Sequence, residues 1–267
     1  MMRTDMQERE NFGAVCPSCR SAVDRAVEAC PTCGWQLVES DNRAEGSSIV
    51  QSAVRPKKVQ CKVEIACTVD RTGSSEPFQT GIPKTFEIVI SQITAKAQSV
   101  KCWVQSHGDL DEGQEVILHT DGGTPEEAVE DIKKITYGGG GDPPEHHLDA
   151  IESLLDSVPW TLDPSRARGA IIAFTTSDTK PAASGISAAE LGKKIRAQGI
   201  LLYLVCEETP ELMQLAENAE GLVFHISNAP EPEELQKIAG QLAASIVATI
   251  ATGGTVPMEV EGRDNQQ

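Results

Sequence analysis

Asp70, Thr72 and Ser74 place an acid and two hydroxyls at alternate positions, just after the largely apolar run Val63-Glu-Ile-Ala-Cys-Thr-Val69. A loop can fold three such oxygens around one small hard cation. Carboxylate, hydroxyl and water are the donors that Mg²⁺ or Mn²⁺ takes, and Mg²⁺ keeps positions open for another oxygen. The pattern points to metal-bridged binding rather than covalent chemistry. A second constellation lies near the N-terminus. Cys16-Pro-Ser-Cys19 and Cys30-Pro-Thr-Cys33 are two C-x₂-C knuckles ten residues apart. Each can bind one ion from a single tight turn, and two together complete a tetrahedral four-thiolate site. Structural Zn²⁺ is the expected occupant. A closed site of that kind has no open position for catalysis, and its metal would fold a segment too short to build a core.

The elements that must position these groups follow from periodicity. Val59–Asp70 reads as a strand buried on both faces. Phe86, Val89, Ile90, Ile93 and Ala97 mark one face of a helix over Ile82–Ser99. Lys101–Ser106 and Gln114–Thr120 read as two strands of a hairpin around Gly108-Asp-Leu-Asp-Glu-Gly113. Thr124-Pro-Glu-Glu127 is a capping box that starts a helix over Pro125–Ile135. A helix over Pro143–Val158 follows the glycine run, then a strand over Gly169–Thr175. Ser187-Ala-Ala-Glu190 caps the next helix. A strand over Gly199–Cys206, a short helix opened by Thr209-Pro210, a strand over Leu222–Ile226 and a long helix over Pro232–Ala251 complete the alternation. Strands joined by crossover helices predict an α/β fold: a doubly wound, mostly parallel central sheet with helices on both faces. Ligands of such sheets bind beyond the strands' carboxyl ends, where Asp70 and Asp178 fall.

Residues 14–38 are expected to form a small zinc ribbon, 39–58 a polar linker, 59–252 the α/β domain and 253–267 a flexible tail. Of 267 residues, 40 are acidic and 23 basic, a net charge of −17. That balance disfavours non-specific nucleic-acid binding and attraction to anionic membranes. No apolar run approaches the roughly 20 residues of a membrane span. The first ten residues are polar, with no signal-peptide core. Cys61, Cys67, Cys102 and Cys206 lie scattered in strand-like runs and read as buried free thiols. These features together predict a cytoplasmic protein.

Three segments of residues 59–252 resemble the von Willebrand factor type A family. Asp70-Arg-Thr-Gly-Ser74 is similar to the family's metal-ion-dependent adhesion-site motif, with Thr72 where serine is usual. Gly138-Gly-Gly-Gly-Asp-Pro-Pro-Glu145 resembles the glycine-rich segment after which many members place a threonine ligand; here Asp142 stands nearby. Ala170-Ile-Ile-Ala-Phe-Thr-Thr-Ser-Asp178 is similar to the strand that the family ends with an acid, with one extra residue before Asp178. Thr175, Thr176 or Ser177 are alternatives to Asp178 in that role. The Gly-Gly-Asp-x-Pro-Glu pattern and the Asp178–Pro181 spacing resemble a cytosolic subset that includes domains linked to atypical kinases. The cysteine module resembles the zinc ribbons that head many bacterial multi-domain proteins. The resemblance implies a vWA, Rossmann-like fold and a Mg²⁺ or Mn²⁺ held by Asp70, Thr72, Ser74 and Asp178, with Asp142 a further candidate. It also implies a partner protein whose acidic side chain completes the coordination. Such cytosolic domains serve as adaptors to AAA-type ATPases, or accompany kinases and phosphatases in bacterial stress and defence systems.

His146 and His147 open a helix on adjacent positions, about 100° apart, and read as solvated surface. His107, His119 and His225 fall near strand ends with no partner visible in the sequence. No Gly-x-Ser-x-Gly elbow and no phosphate-binding Gly-Lys-Ser/Thr loop appears. The expected function is therefore a non-enzymatic, metal-dependent interaction protein. The rivals are an RNA-associated scaffold, disfavoured by charge, and a metal-dependent hydrolase, which lacks a suitable general base.

Overall fold

The computed structural model describes residues 14–15, 22–23, 59–141, 143–163, 166–226 and 232–252. The chain divides into two compact units, Met1–Val59 and Gln60–Gln267. In the first, β1 (Ala14–Val15) pairs antiparallel with β2 (Ala22–Val23), Ala14 opposite Val23. The four knuckle cysteines, the linker over 39–58, the tail from residue 253 and Asp142 lie outside the described residues.

The second unit is built on a six-stranded sheet. Its strands are β3 (Val59–Asp70), β4 (Ala97–His107), β5 (Ile117–Gly123), β6 (Ala167–Phe174), β7 (Leu201–Cys206) and β8 (Leu222–His225), in the order β5-β4-β3-β6-β7-β8. The pairs β3–β6, β6–β7 and β7–β8 are parallel, and β4–β5 is the antiparallel hairpin that the Gly108–Gly113 turn composition predicts. The chain builds outward from β3 through β4 to β5, then returns to the other side of β3 as β6. The sheet's switch point therefore lies between β3 and β6, with Val69 opposite Phe174. In open α/β sheets this crevice is where ligands bind.

Helices α1 (Gly81–Lys96), α2 (Pro125–Ile132), α3 (His147–Ser157), α4 (Ala188–Ala197), α5 (Pro210–Ala219) and α6 (Pro232–Thr252) form two groups. The first helix packs on α6 and α2, and α4 packs on α5 and α3. Strand side chains alternate between the two faces. Ala66, Ile171, Ala173, Leu202 and Leu204 share one aliphatic core with Leu148, Ile151, Leu154, Leu191, Ile195, Leu212 and Leu215. Each leucine or isoleucine among them contributes roughly 1.5–3 kcal/mol by leaving water. The capping boxes of α2 and α4 both form, Thr124 with Glu127 and Ser187 with Glu190. Cys67, Cys102 and Cys206 are buried free thiols, as expected. Burial pushes the Cys102 and Cys206 thiols up to about 12, which keeps them protonated and unreactive.

Several elements depart from the expected bounds. The helix expected over Ile82–Ser99 stops at Lys96, because Ala97 is already extended and begins β4. The strand expected over Gln114–Thr120 begins only at Ile117. Gln114 instead pins two loops, accepting from the Asp109 amide and donating to the Gly138 carbonyl. The helix expected over Pro143–Val158 starts at His147, because Glu145 is drawn into an isolated parallel bridge with Thr179.

Gly192 sets how closely α4 and α5 approach. A Cβ there would lie 2.5 Å from the Leu215 carbonyl oxygen and 2.9 Å from the Ala219 nitrogen. Both obstacles are backbone, so the helices would have to separate. Gly192→Ala should lower stability by on the order of 1–3 kcal/mol, read as a fall in the denaturant midpoint. An unchanged or raised midpoint would contradict this packing.

Candidate metal centre

Asp70 ends β3 and the loop after it curls into a short 3₁₀ turn, Gly73–Phe78. The curl brings alternate side chains together. The Thr72 amide and hydroxyl both donate to Asp70 Oδ1, at 2.9 and 2.8 Å, and Thr72 Oγ1 lies 2.9 Å from Ser74 Oγ. From across the switch point, Thr176 donates its hydroxyl to Asp70 Oδ2 at 3.1 Å and lies 3.3 Å from Ser74 Oγ. Four residues thus close a ring of oxygens. Asp70 and Thr72 form its floor, each 1% exposed. Ser74 is exposed and Thr176 half-buried, so the ring opens to solvent on that side.

The glycine run shapes this loop. The Gly138 amide donates to the Arg71 carbonyl and the Gly73 amide to the Gly139 carbonyl, both at 2.9 Å. Gly140 sits at φ +79°, and a Cβ there would meet Thr72 Cβ at 3.0 Å and Glu145 Oε1 at 3.1 Å. Only glycine combines that dihedral with that proximity. Asp178, expected among the ligands, directs its carboxylate Oδ1 to the Thr179 amide at 2.8 Å. Its carbonyl accepts from the Glu145 amide. The residue that reaches Asp70 from this strand end is Thr176.

The donor set fits a small divalent cation. With Mg–O bonds of 2.0–2.1 Å, neighbouring ligands of an octahedron lie about 2.9 Å apart. The ring's spacings run from 2.8 to 3.3 Å. Asp70, Thr72, Ser74 and Thr176 could hold the ion and leave its solvent side for another oxygen. None of the described ion pairs involves Asp70. Burial pushes its carboxyl up; the His147 and His107 rings in their protonated form, and the two Thr72 bonds at any pH, act against burial and hold it below the usual range.

His146 and His147, expected on the surface, are both buried. His146 stands just outside α3 and His147 opens it, and the two meet different neighbours. His147 Nδ1 lies 2.8 Å from His107 Nε2, and His107 Nδ1 lies 2.9 Å from Thr68 Oγ1. His107 therefore has a partner that no sequence spacing could reveal, since it comes from a different element. His119 likewise meets Ser106, at 2.7 Å.

His146 joins a second polar cluster. Asp109, Asp111 and His146 form a group that could hold a metal ion. Sequence reading missed it because His146 comes from a different segment than Asp109 and Asp111. Lys180 already fills the cation's place: its ammonium donates to both oxygens of Asp109 and to Asp111 Oδ2, each at 2.9 Å. Burial pushes Asp109 up, but the Lys180 bonds and the Asp111 amide hold it below the usual carboxylate range.

No protein-family model matches this chain, and no curated protein sequence matches it. Solved structures do. The SpRpn10 VWA domain superposes with a TM-score of 0.53 at 13% identity, over 68% of this chain and 95% of that one. The proximal thread matrix protein 1 of the mussel byssus gives 0.53 at 14% identity, over 72% of this chain and 47% of that one. The chain has the VWA fold. The crevice described above thus lies in a sheet of the VWA fold. Among the described residues, no helix is long and apolar enough to cross a membrane.

Burial and the neighbouring His147 push His107 down to about 3. The unfolded chain takes up a proton on this ring as pH falls through about 6.5, whereas the folded protein resists until about 3. Stability from this group is therefore complete above pH 6.5 and is lost on acidification, by up to about 1.4 kcal/mol per pH unit. Denaturant midpoints measured from pH 6.5 down to 4.5 should fall less steeply for His107→Gln than for the wild-type chain. Parallel slopes would show that His107 is not held neutral.

Proposed function

We propose that this chain is a non-enzymatic interaction protein that docks a partner through a Mg²⁺ or Mn²⁺ held by Asp70, Thr72, Ser74 and Thr176. The supporting observation is the closed oxygen ring around a buried, ionised Asp70 that has no cationic side chain bound to it among the described residues. One carboxylate and three hydroxyls leave a divalent ion with net positive charge, so it pulls on a further acid. A second carboxylate in the shell, from Asp142 or Asp178, would weaken that pull. A glutamate or aspartate of the partner completes the coordination.

The partner's acid would arrive among bases. Glu76, Asp111, Glu112 and Glu208 are exposed in the segments that follow β3, β4 and β7, and the β3 and β4 ends adjoin through the Arg71 amide and the His107 carbonyl. Such a field repels an acidic surface but accepts a lone carboxylate flanked by lysine or arginine. The vWA resemblance favours an AAA-type ATPase, a kinase or a phosphatase in a bacterial, cytoplasmic stress or defence system as the partner. The N-terminal cysteines Cys16, Cys19, Cys30 and Cys33 are read as a structural Zn²⁺ ribbon, separate from the docking metal.

Calorimetric titration of Mn²⁺ into the zinc-loaded full chain tests this reading. Wild type should bind one ion beyond its zinc. Asp70→Ala should lose more than the about 10–100-fold in affinity that outer-shell changes cost, with zinc content unchanged. A pull-down should then retain a partner with Mg²⁺ and lose it with EDTA and from the Asp70→Ala bait. Equal Mn²⁺ affinity in both chains would sink the proposal.

A further inference from the structure

Behind the oxygen ring runs a buried hydrogen-bonded chain that crosses three elements and the loop after β6. Gln105 Nε2, on β4, donates to the Ala150 carbonyl at 2.7 Å and to Thr68 Oγ1 at 3.2 Å. Thr68 meets His107 Nδ1, and His107 Nε2 meets His147 Nδ1 on α3. His147 Nε2 lies 3.2 Å from Ser177 Oγ, which donates to the Asp178 carbonyl, also at 3.2 Å. Thr68, His107 and His147 are at most 1% exposed. Water cannot supply a missing donor or acceptor there.

The two ends fix the direction of every proton between them. The Gln105 amide can only donate, so Thr68 Oγ1 accepts from it and is free to donate to His107 Nδ1. An accepting Nδ1 puts the His107 proton on Nε2, aimed at His147 Nδ1. The same step places the His147 proton on its own Nε2, aimed at Ser177 Oγ. Ser177 then gives its proton to the Asp178 carbonyl. The reverse direction would make Thr68 accept twice, with its own proton left without an acceptor in the chain. It would also turn the Ser177 proton away from Asp178.

We infer that His107 and His147 are positioning residues: a one-directional, neutral relay of two Nε2–H tautomers that holds the Thr176–Asp178 loop so that the Thr176 hydroxyl faces Asp70. This rests on the metal-docking reading of that ring. The relay links the interior of the sheet to the residue next to a ring oxygen. An unanchored Ser177 would let Thr176 swing away from Asp70, and the ion's oxygen set would open on that side. Outer-shell partners of this kind orient ligands and contribute to affinity without touching the metal.

Two measurements on the zinc-loaded full chain test it. Long-range proton–nitrogen NMR correlations of the histidine rings at pH 7 should show His107 and His147 neutral, protonated at Nε2 and bare at Nδ1. A proton at Nδ1 on either ring, or a charged ring, would overturn the relay whether or not metal binds. The second is Mn²⁺ affinity. Ser177→Ala should weaken it by about 10-fold while the metal-free melting temperature stays near wild type, and Ser177→Thr, which keeps the hydroxyl, should restore it. Unchanged affinity in Ser177→Ala would overturn the positioning role. So would a loss matched by a collapse in metal-free stability, since that would mark Ser177 as merely structural. A wild-type chain that binds no Mn²⁺ would remove the docking reading and the positioning role with it, whereas Mn²⁺ binding with the wrong tautomers would overturn the relay alone.

Discussion

A carboxylate that is 1% exposed keeps its charge only if donors or cations surround it. Asp70 meets that demand with hydroxyls and one amide, and everything around it follows. The loop after β3 must curl to bring Thr72 and Ser74 back onto the acid. The glycine run must come close enough to brace the curl, hence the positive φ of Gly140. β6 must lie beside β3 so that Thr176 can donate from the far side. An arrangement of hydroxyls is reversible: each can turn from donating to the carboxylate to offering its lone pair to an ion.

The same unit shows the contrasting solution a few residues away. Asp109 is as buried as Asp70 but is neutralised by the Lys180 ammonium. A tethered cation ties together the loops that follow β4 and β6 and offsets the charge of the buried acid. Of these two acids, Asp70 is the one without a bound cationic side chain among the described residues, and its ring opens to solvent at Ser74. That difference, rather than the count of acids, separates a place for exchange from a structural knot.

Much of the fold was legible because its signals are local. Apolar runs gave the central strands, and the two capping boxes placed the starts of α2 and α4. Asp70, Thr72 and Ser74 were legible for the same reason, since one loop carries all three. Long-range features were not. Thr176 could be named only as one of several candidates, because its register beside Asp70 depends on how β6 aligns with β3. The His107–His147 contact joins residues 40 positions apart, and the Lys180 knot joins loops about 70 apart. Glu145 was read as helix because its sequence is helix-compatible. Its bridge to Thr179 is a tertiary demand that no local pattern encodes.

The ring's two halves are 106 residues apart, Asp70 on the first strand of the sheet and Thr176 beyond the fourth. On a ribosome, the acid emerges long before its counterpart. The nascent chain therefore carries an incomplete cage until β6 has been made and has slotted against β3. Closing so long a loop is slow. The crevice cannot be complete before β6 pairs with β3, so its completion reports that the centre of the sheet has found its register. On the docking proposal, competence to bind a partner arrives with the pairing of β6 against β3.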